Sequence, residues 1–316
     1  MLLGHETAWR EWRKALGGER MHHAWLLAGR RGVGKGSFAF AAACELVGVD
    51  PADAQNHPDI LTLTYAPKDD KEERKRADGK PYEVARSIRI AQVRGMQARL
   101  GTRPTLGDKR AIIIDPADDL ERNAANALLK SLEEPPIGTY FLLVAHSPAR
   151  LLPTIRSRCR VLRFPTVSDA EMDRLLANLS PGADPATRAA AIAAAGGSPG
   201  AALQFVDMEL GKVRQAMDAI LARGDPDFQL RGTLAGLIGA RPDRERIRAV
   251  LELARSAVAQ RLDGAMADPR PVIDTHSELV RLTGEQPTYN FDAGLLAMEI
   301  GTLLAKAATA SERADG

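Results

Sequence analysis

The chain has 316 residues, 45% of them hydrophobic and 27% charged, a balance that fits a folded protein of about two domains and excludes a disordered one. Its 43 Lys and Arg nearly cancel its 41 Asp and Glu, leaving a formal charge of +2; that excludes a strongly cationic nucleic-acid coat but leaves room for a local basic patch. Aromatics at 4% argue against a stacking platform for single strands, and two cysteines, Cys44 and Cys159, cannot build a disulfide framework or a four-cysteine zinc site.

Met1-Leu-Leu-Gly-His is followed at once by Glu6, Arg10, Glu11 and Arg13, which lacks the positive start and apolar stretch of a secretory signal. No apolar run approaches the ~20 residues that a membrane span needs. With so few cysteines, the expected setting is a reducing cytoplasm. The first half then alternates short apolar runs with helical stretches. Ala24–Ala28, Ile60–Leu63, Ala111–Ile114, Tyr140–Val144 and Val161–Phe164 read as strands buried on both faces of a parallel sheet. Ser37–Val47 and Asn123–Leu132 read as helices between them, and the order implies an α/β core over 1–165. The mixed-charge run Lys68–Lys80 reads as a mobile solvated loop; its nearly cancelling signs weaken the other reading, a contact arm for DNA or a partner.

The register changes near Phe164-Pro165. Ser168 precedes Glu171 at capping-box spacing, with Met172, Leu175, Leu176 and Leu179 at helical intervals. Asp184-Pro185 starts a second helix that Gly196-Gly197 stops, and Pro199–Phe205 fits a third, making a small helical unit over 166–206. From 207 to 316 the pattern stays helical. Ile247, Val250, Leu251, Ala254, Val258 and Leu262 form one stripe, and Phe291, Leu295, Met298 or Glu299, and Leu303 suggest a last long helix.

Two motifs carry chemistry. Gly29-Arg-Arg-Gly-Val-Gly34-Lys35, between a strand and a helix, has the context of a P-loop, in which glycines wrap phosphate and the lysine supplies charge. The next position should offer a Ser or Thr hydroxyl to Mg²⁺ but is Gly36, and Ser37 comes one residue, about 100° of helix, too late. Asp115 ends a strand as a metal-supporting carboxylate would, but Pro116 follows it, and Asp118 and Asp119 read as helix-start residues. The candidate nucleotide site, Gly29, Gly34, Lys35 and Asp115, is therefore degenerate. No metal site is expected: His57 and Asp59 are too few ligands and read as turn residues.

Asn126-Ala-Leu-Leu-Lys130-Ser-Leu-Glu133-Glu-Pro135, Phe141-Leu-Leu-Val144 and Pro153-Thr-Ile-Arg156-Ser157-Arg158-Cys159 resemble the clamp-loader branch of the AAA+ proteins. His23-Ala24, His57-Pro58-Asp59, the broken P-loop and Pro116 resemble its bacterial delta prime subunits in particular. The resemblance covers residues 1–205 by motif; beyond that only length and helical character match. It implies a P-loop AAA+ parallel-sheet core over 1–165, a helical lid over 166–206 and an all-α collar over 207–316 for oligomerisation. It implies a non-hydrolysing subunit of the DNA polymerase III holoenzyme, a nucleotidyltransferase complex, with no cofactor of its own. ATP and Mg²⁺ would be bound by the neighbouring subunit, to which Arg158 would serve as an arginine finger. The implied partners are the gamma/tau and delta subunits and, through the complex, the sliding clamp and primed DNA; no membrane is involved. Two departures follow from the residues present: the stretch Ala43–His57 holds one cysteine where many relatives carry a zinc module, so zinc is not expected, and Gly197-Ser-Pro-Gly200 lacks the lid arginine of ATP-using relatives.

The competing reading is an active P-loop ATPase of the gamma/tau or DNA-motor type, resting on Gly29, Gly34 and Lys35; a small-molecule kinase is a weaker third. Without the motif, Arg156, Arg158 and Arg160 are solvated arginines before an edge strand, and Arg30, Arg31, Arg94, Arg99 and Arg103 are scattered surface charges or a DNA-facing set. Cys159 reads as a packed small residue rather than a nucleophile, and His22, His23, His146 and His276 as structural.

Overall fold

The structure, a computed structural model, describes residues 5–54, 56–262, 268–285 and 292–312. Packing divides the chain into two compact units, Met1–Thr166 and Val167–Gly316.

The first unit runs α1 (Glu6–Leu16), β1 (Ala24–Ala28), α2 (Lys35–Val47), β2 (Ile60–Leu63), α3 (Asp70–Ala77), α4 (Ile90–Leu100), β3 (Arg110–Ile114), α5 (Arg122–Glu133), β4 (Thr139–Ala145), α6 (Pro153–Arg156) and β5 (Arg160–Arg163). The five strands form one parallel sheet in the order β2-β3-β4-β1-β5. Alternate side chains of each strand point to opposite faces, so the apolar runs fill two cores. Leu26, Ile112, Ile114, Phe141 and Leu143 meet Val93, Met96, Leu128 and Leu132 of α4 and α5 on one face. Trp25, Leu27, Ile113, Leu142 and Val144 meet Trp12 and Phe38 of α1 and α2 on the other. A sheet covered on both faces needs strands without alternation, which is why these runs are continuously apolar.

Two expectations are corrected here. Residues 68–80 are not a loop. Asp69 caps α3 by accepting the Glu72 N–H at 3.0 Å, and the Glu72 side chain folds inward, accepting from Lys75 Nζ at 2.8 Å and from the Glu83 N–H at 2.7 Å. Backbone bonds from Lys68 N–H to Glu83 O and from Ala85 N–H to Ala66 O close the base of the segment. An apolar anchor is missing, but a carboxylate with two donors replaces it. Asp59, read as a turn residue, is fully buried. It accepts the N–H groups of Thr105 (2.7 Å) and Leu106 (2.8 Å) and lies 3.5 Å from Arg110, whose guanidinium also donates to the carbonyls of Arg99, Thr102 and Arg103. Burial pushes this carboxyl upward, but the two N–H groups and Arg110 outweigh it and hold it below the usual carboxylate range. His57 does act within the turn, its Nδ1 accepting the Asp59 N–H.

The second unit is helical over its described residues: α7 (Asp169–Leu179), α8 (Pro185–Ala195), α9 (Pro199–Asp207), α10 (Gly211–Arg223), α11 (Gln229–Ile238), α12 (Arg244–Ala259), α13 (Arg270–Glu285) and α14 (Ala293–Glu312). The capping box at Ser168 and Glu171, the Asp184 cap and the left-handed Gly196 sit where the sequence puts them. One apolar cluster runs through the unit from Val167 and Met172 to Leu304 and Ala307, drawing on both 166–206 and 207–316. α14 exists as expected, but its buried face is Leu296, Ala297, Ile300, Leu303 and Leu304; Leu295 is 74% exposed, and Phe291 lies outside the described residues, as do Met1–Gly4. In α12, Val250, Leu251, Ala254 and Val258 are buried, whereas Leu262 lies past the helix end and is exposed. No described helix is long and apolar enough to cross a membrane.

Candidate functional site

In a parallel sheet the carboxyl ends of the strands converge on a crevice where the strand order reverses, and loops there bind ligands. β1 lies between β4 and β5, and the glycine loop leaves its carboxyl end at that place. Gly29 is obligatory: a Cβ there would stand 2.3 Å from the Phe164 carbonyl oxygen. Gly32 and Gly34 take positive φ (78° and 101°), and Gly34 directly precedes the first turn of α2.

Lys35 is the first residue of α2 and is almost fully buried. Its Nζ donates to the carbonyls of Gly29 and Arg30, both at 2.6 Å. Burial brings its pKa down to about 8, opposed by the nearby carboxylates of Asp115 and Asp118. Asp115, at the end of β3, is raised by burial, with Lys35 and Arg31 pulling the other way. The two groups thus influence each other's charge near the loop. The position that lacks a hydroxyl is filled rather than empty: a Cβ on Gly36 would lie 2.6 Å from Asp115 Oδ2. Ser37 is exposed. The structure therefore brings Gly29, Gly34, Lys35 and Asp115 together at the carboxyl end of the sheet. Two groups that metal-dependent hydrolysis uses are missing from this set: position 36 offers no hydroxyl and position 116 no carboxylate.

Asp118 and Asp119 do lie in the first turn of a short helix, though not of α5. They form a 3₁₀ turn with Ala117, and α5 begins only at Arg122. Asp118 accepts the N–H groups of His146 (3.0 Å) and Ser147 (2.7 Å), tying the end of β4 to the end of β3. Asp119 accepts from the Tyr65 hydroxyl at 2.5 Å and pairs with Arg150 at 3.0 Å. Burial and then Asp119 raise the Tyr65 pKa, so it stays a donor. These links were hidden in sequence, because the partners are far apart along the chain; the only signal was a pair of acids a few residues after a buried strand.

Arg158 lies elsewhere. It follows α6 on the turn into β5, whose Arg160 pairs with Trp25 near the start of β1. Gly29 is four strand residues further on, about 13 Å at 3.3 Å per residue, and at the other end of the sheet. Arg158 thus sits at the end of the sheet opposite its own glycine loop. Its Nη1 donates to the Thr154 carbonyl at 2.9 Å and its Nη2 meets Glu133 Oε1 at 2.6 Å. Cys159 beside it is pushed up to about 12 by burial, which leaves an inert thiol. Arg160 lies over the Trp25 ring at 5.1 Å, and Arg99 donates to the Pro58 carbonyl.

Comparison with known proteins bears on this arrangement. A family profile described as DNA polymerase III, delta subunit, matches residues 4–168. The chain is 35% identical over 207 residues to the DNA polymerase III subunit delta prime of Pseudomonas aeruginosa, covering 60% of this chain and 58% of that protein. It is 30% identical over 233 residues to the corresponding subunit of Escherichia coli, covering 69% of this chain and 64% of that one. The chain thus matches less than two thirds of the length of these relatives. Among solved structures, a DNA polymerase III gamma subunit-related protein of Thermotoga maritima aligns over 95% of this chain and 99% of its own, with a TM-score of 0.54 at 16% identity, a likeness of fold.

Proposed function

The chain belongs to the DNA polymerase III delta prime subunit family, and from that premise we propose that it works as a non-hydrolysing clamp-loader subunit that offers Arg158 to a neighbour's nucleotide. The observation that carries this reading is the separation of two features. The chain's own loop lacks a metal-holding hydroxyl at Gly36 and has Lys35 bonded to its own carbonyls, while Arg158 stands half-exposed at the opposite end of the sheet. A guanidinium there has no nucleotide of its own to serve. Placed against a neighbour's bound nucleotide, its fork of donors stabilises charge on the transferring phosphoryl group, a contribution on the order of 10³–10⁵ in rate where it has been isolated.

In this reading ATP and Mg²⁺ belong to a gamma/tau subunit, and the delta subunit completes the complex. The assembly opens a sliding clamp and places it on primed DNA. The near-zero net charge supports a chain that meets proteins over most of its surface. The chain should co-purify with gamma/tau and delta, and Arg158→Ala should lower the DNA- and clamp-stimulated ATPase of the reconstituted complex. Unchanged turnover in a complex that still assembles would sink the assignment. The competing reading, an ATPase in its own right, requires steady Mg²⁺-dependent turnover by the isolated chain that Lys35→Ala abolishes.

A further inference from the structure

We infer that Glu133 is a positioning residue for Arg158, its carboxylate orienting the guanidinium towards a neighbouring subunit's phosphate. The inference rests on the trans reading of Arg158 given above. A long side chain on an exposed turn loses most of its rotamer freedom when it is fixed, and a finger that wanders is seldom in place when the phosphoryl group transfers. Here two elements fix it. Thr154, on α6, supplies a carbonyl at 2.9 Å, and Glu133, the last residue of α5, supplies a carboxylate at 2.6 Å.

The carboxylate is itself held. α5 stops at Glu133 because Pro135 and Pro136 follow within three residues. Its end is tied to the start of β1, where the His23 ring nitrogen Nε2 lies 2.9 Å from the Leu132 carbonyl oxygen. Burial lowers the His23 pKa first and foremost, so the ring is neutral near pH 7 and donates to that carbonyl. A chain of contacts thus runs from the sheet through His23 and Leu132 to Glu133 and Arg158. The guanidinium has five N–H donors, and its two anchors leave others for a phosphate. Both side chains are partly exposed, 35% for Arg158 and 48% for Glu133, so solvent weakens the grip and the pair sets direction without locking the arginine away.

The test uses the reconstituted complex with its full-length subunits. Glu133→Ala should lower the stimulated kcat for ATP about three- to tenfold, as expected for losing one partly exposed orienting contact, with KM for ATP unchanged. Glu133→Gln, which keeps the oxygen acceptor, should recover most of that loss; it carries the test alone if the alanine variant assembles poorly. Glu133→Ala combined with Arg158→Ala should be no slower than Arg158→Ala alone, since both remove one device. Where Arg158→Ala slows turnover but Glu133→Ala leaves it unchanged, raises it, or adds a further loss, the positioning role is overturned and the finger stands. Where Arg158→Ala itself has no effect, the trans reading fails and the role of Glu133 with it.

Discussion

Lys35 spends its ammonium on the carbonyls of its own loop, and Asp115 fills the space beside Gly36. Two measurable outcomes follow from these contacts. The folded pKa of Lys35 is about 8 against an ordinary 10.5, so between those values the folded chain has released a proton that the unfolded chain keeps. Stability relative to a Lys35→Met variant should therefore rise as pH climbs from 8 to 10.5 and be flat below; urea unfolding at pH 7, 8.5 and 10 checks it, and a difference that stays flat contradicts it. Gly36→Thr should destabilise the chain through overpacking by about 1–3 kcal/mol, offset by only about 0.3 kcal/mol from better helix propensity. Adding Asp115→Ala should return most of the loss, because the clash is with that carboxylate. The residue types at 36 and 116 were legible in the sequence, since a missing hydroxyl or carboxylate needs no structure to be seen. What fills the gap was not, because Gly36 and Asp115 meet only when α2 docks beside β3.

At the scale of elements, strands and caps were readable and polar anchors were not. Continuous apolar runs have one stable home, the interior of a covered sheet, and Ser168, Asp184 and Gly196 announce helix ends by local chemistry alone. The segment 68–83 shows the opposite case. Its helix depends on Glu72, whose Lys75 and Glu83 partners make sense of a carboxylate that composition alone assigns to solvent. The hydrogen bond from Lys75, then the Glu83 N–H, hold the Glu72 pKa below its usual value. The order this carboxylate supports is present above the ordinary glutamate range and is lost as pH falls through the folded value. Glu72→Ala should open residues 68–83 to limited proteolysis at neutral pH while the sheet stays protected; an unchanged cleavage pattern would contradict that role. In the last helix, Leu303 of the expected stripe is buried, but Leu295 is exposed and the bundle buries Leu296 and Ile300 on the neighbouring face.

For the whole molecule, the P-loop core and the helical half were both legible, because fold follows from the order of periodicities and the motifs at strand ends. Direction was harder to read. Sequence alone sets Arg158 and Lys35 in one AAA+ core; only the parallel pairing of β1 with β5 puts them at opposite ends of the sheet. On the proposed reading, that geometry lets the protein serve a neighbour's chemistry rather than its own. The most direct test compares two variants in the same reconstituted complex under DNA and clamp stimulation. Lys35→Ala, in the chain's own loop, should leave ATP turnover and clamp loading at the parent level, and Arg158→Ala should lower both. The opposite pattern, loss with Lys35→Ala and no loss with Arg158→Ala, would contradict the assignment and make this chain an ATPase in its own right.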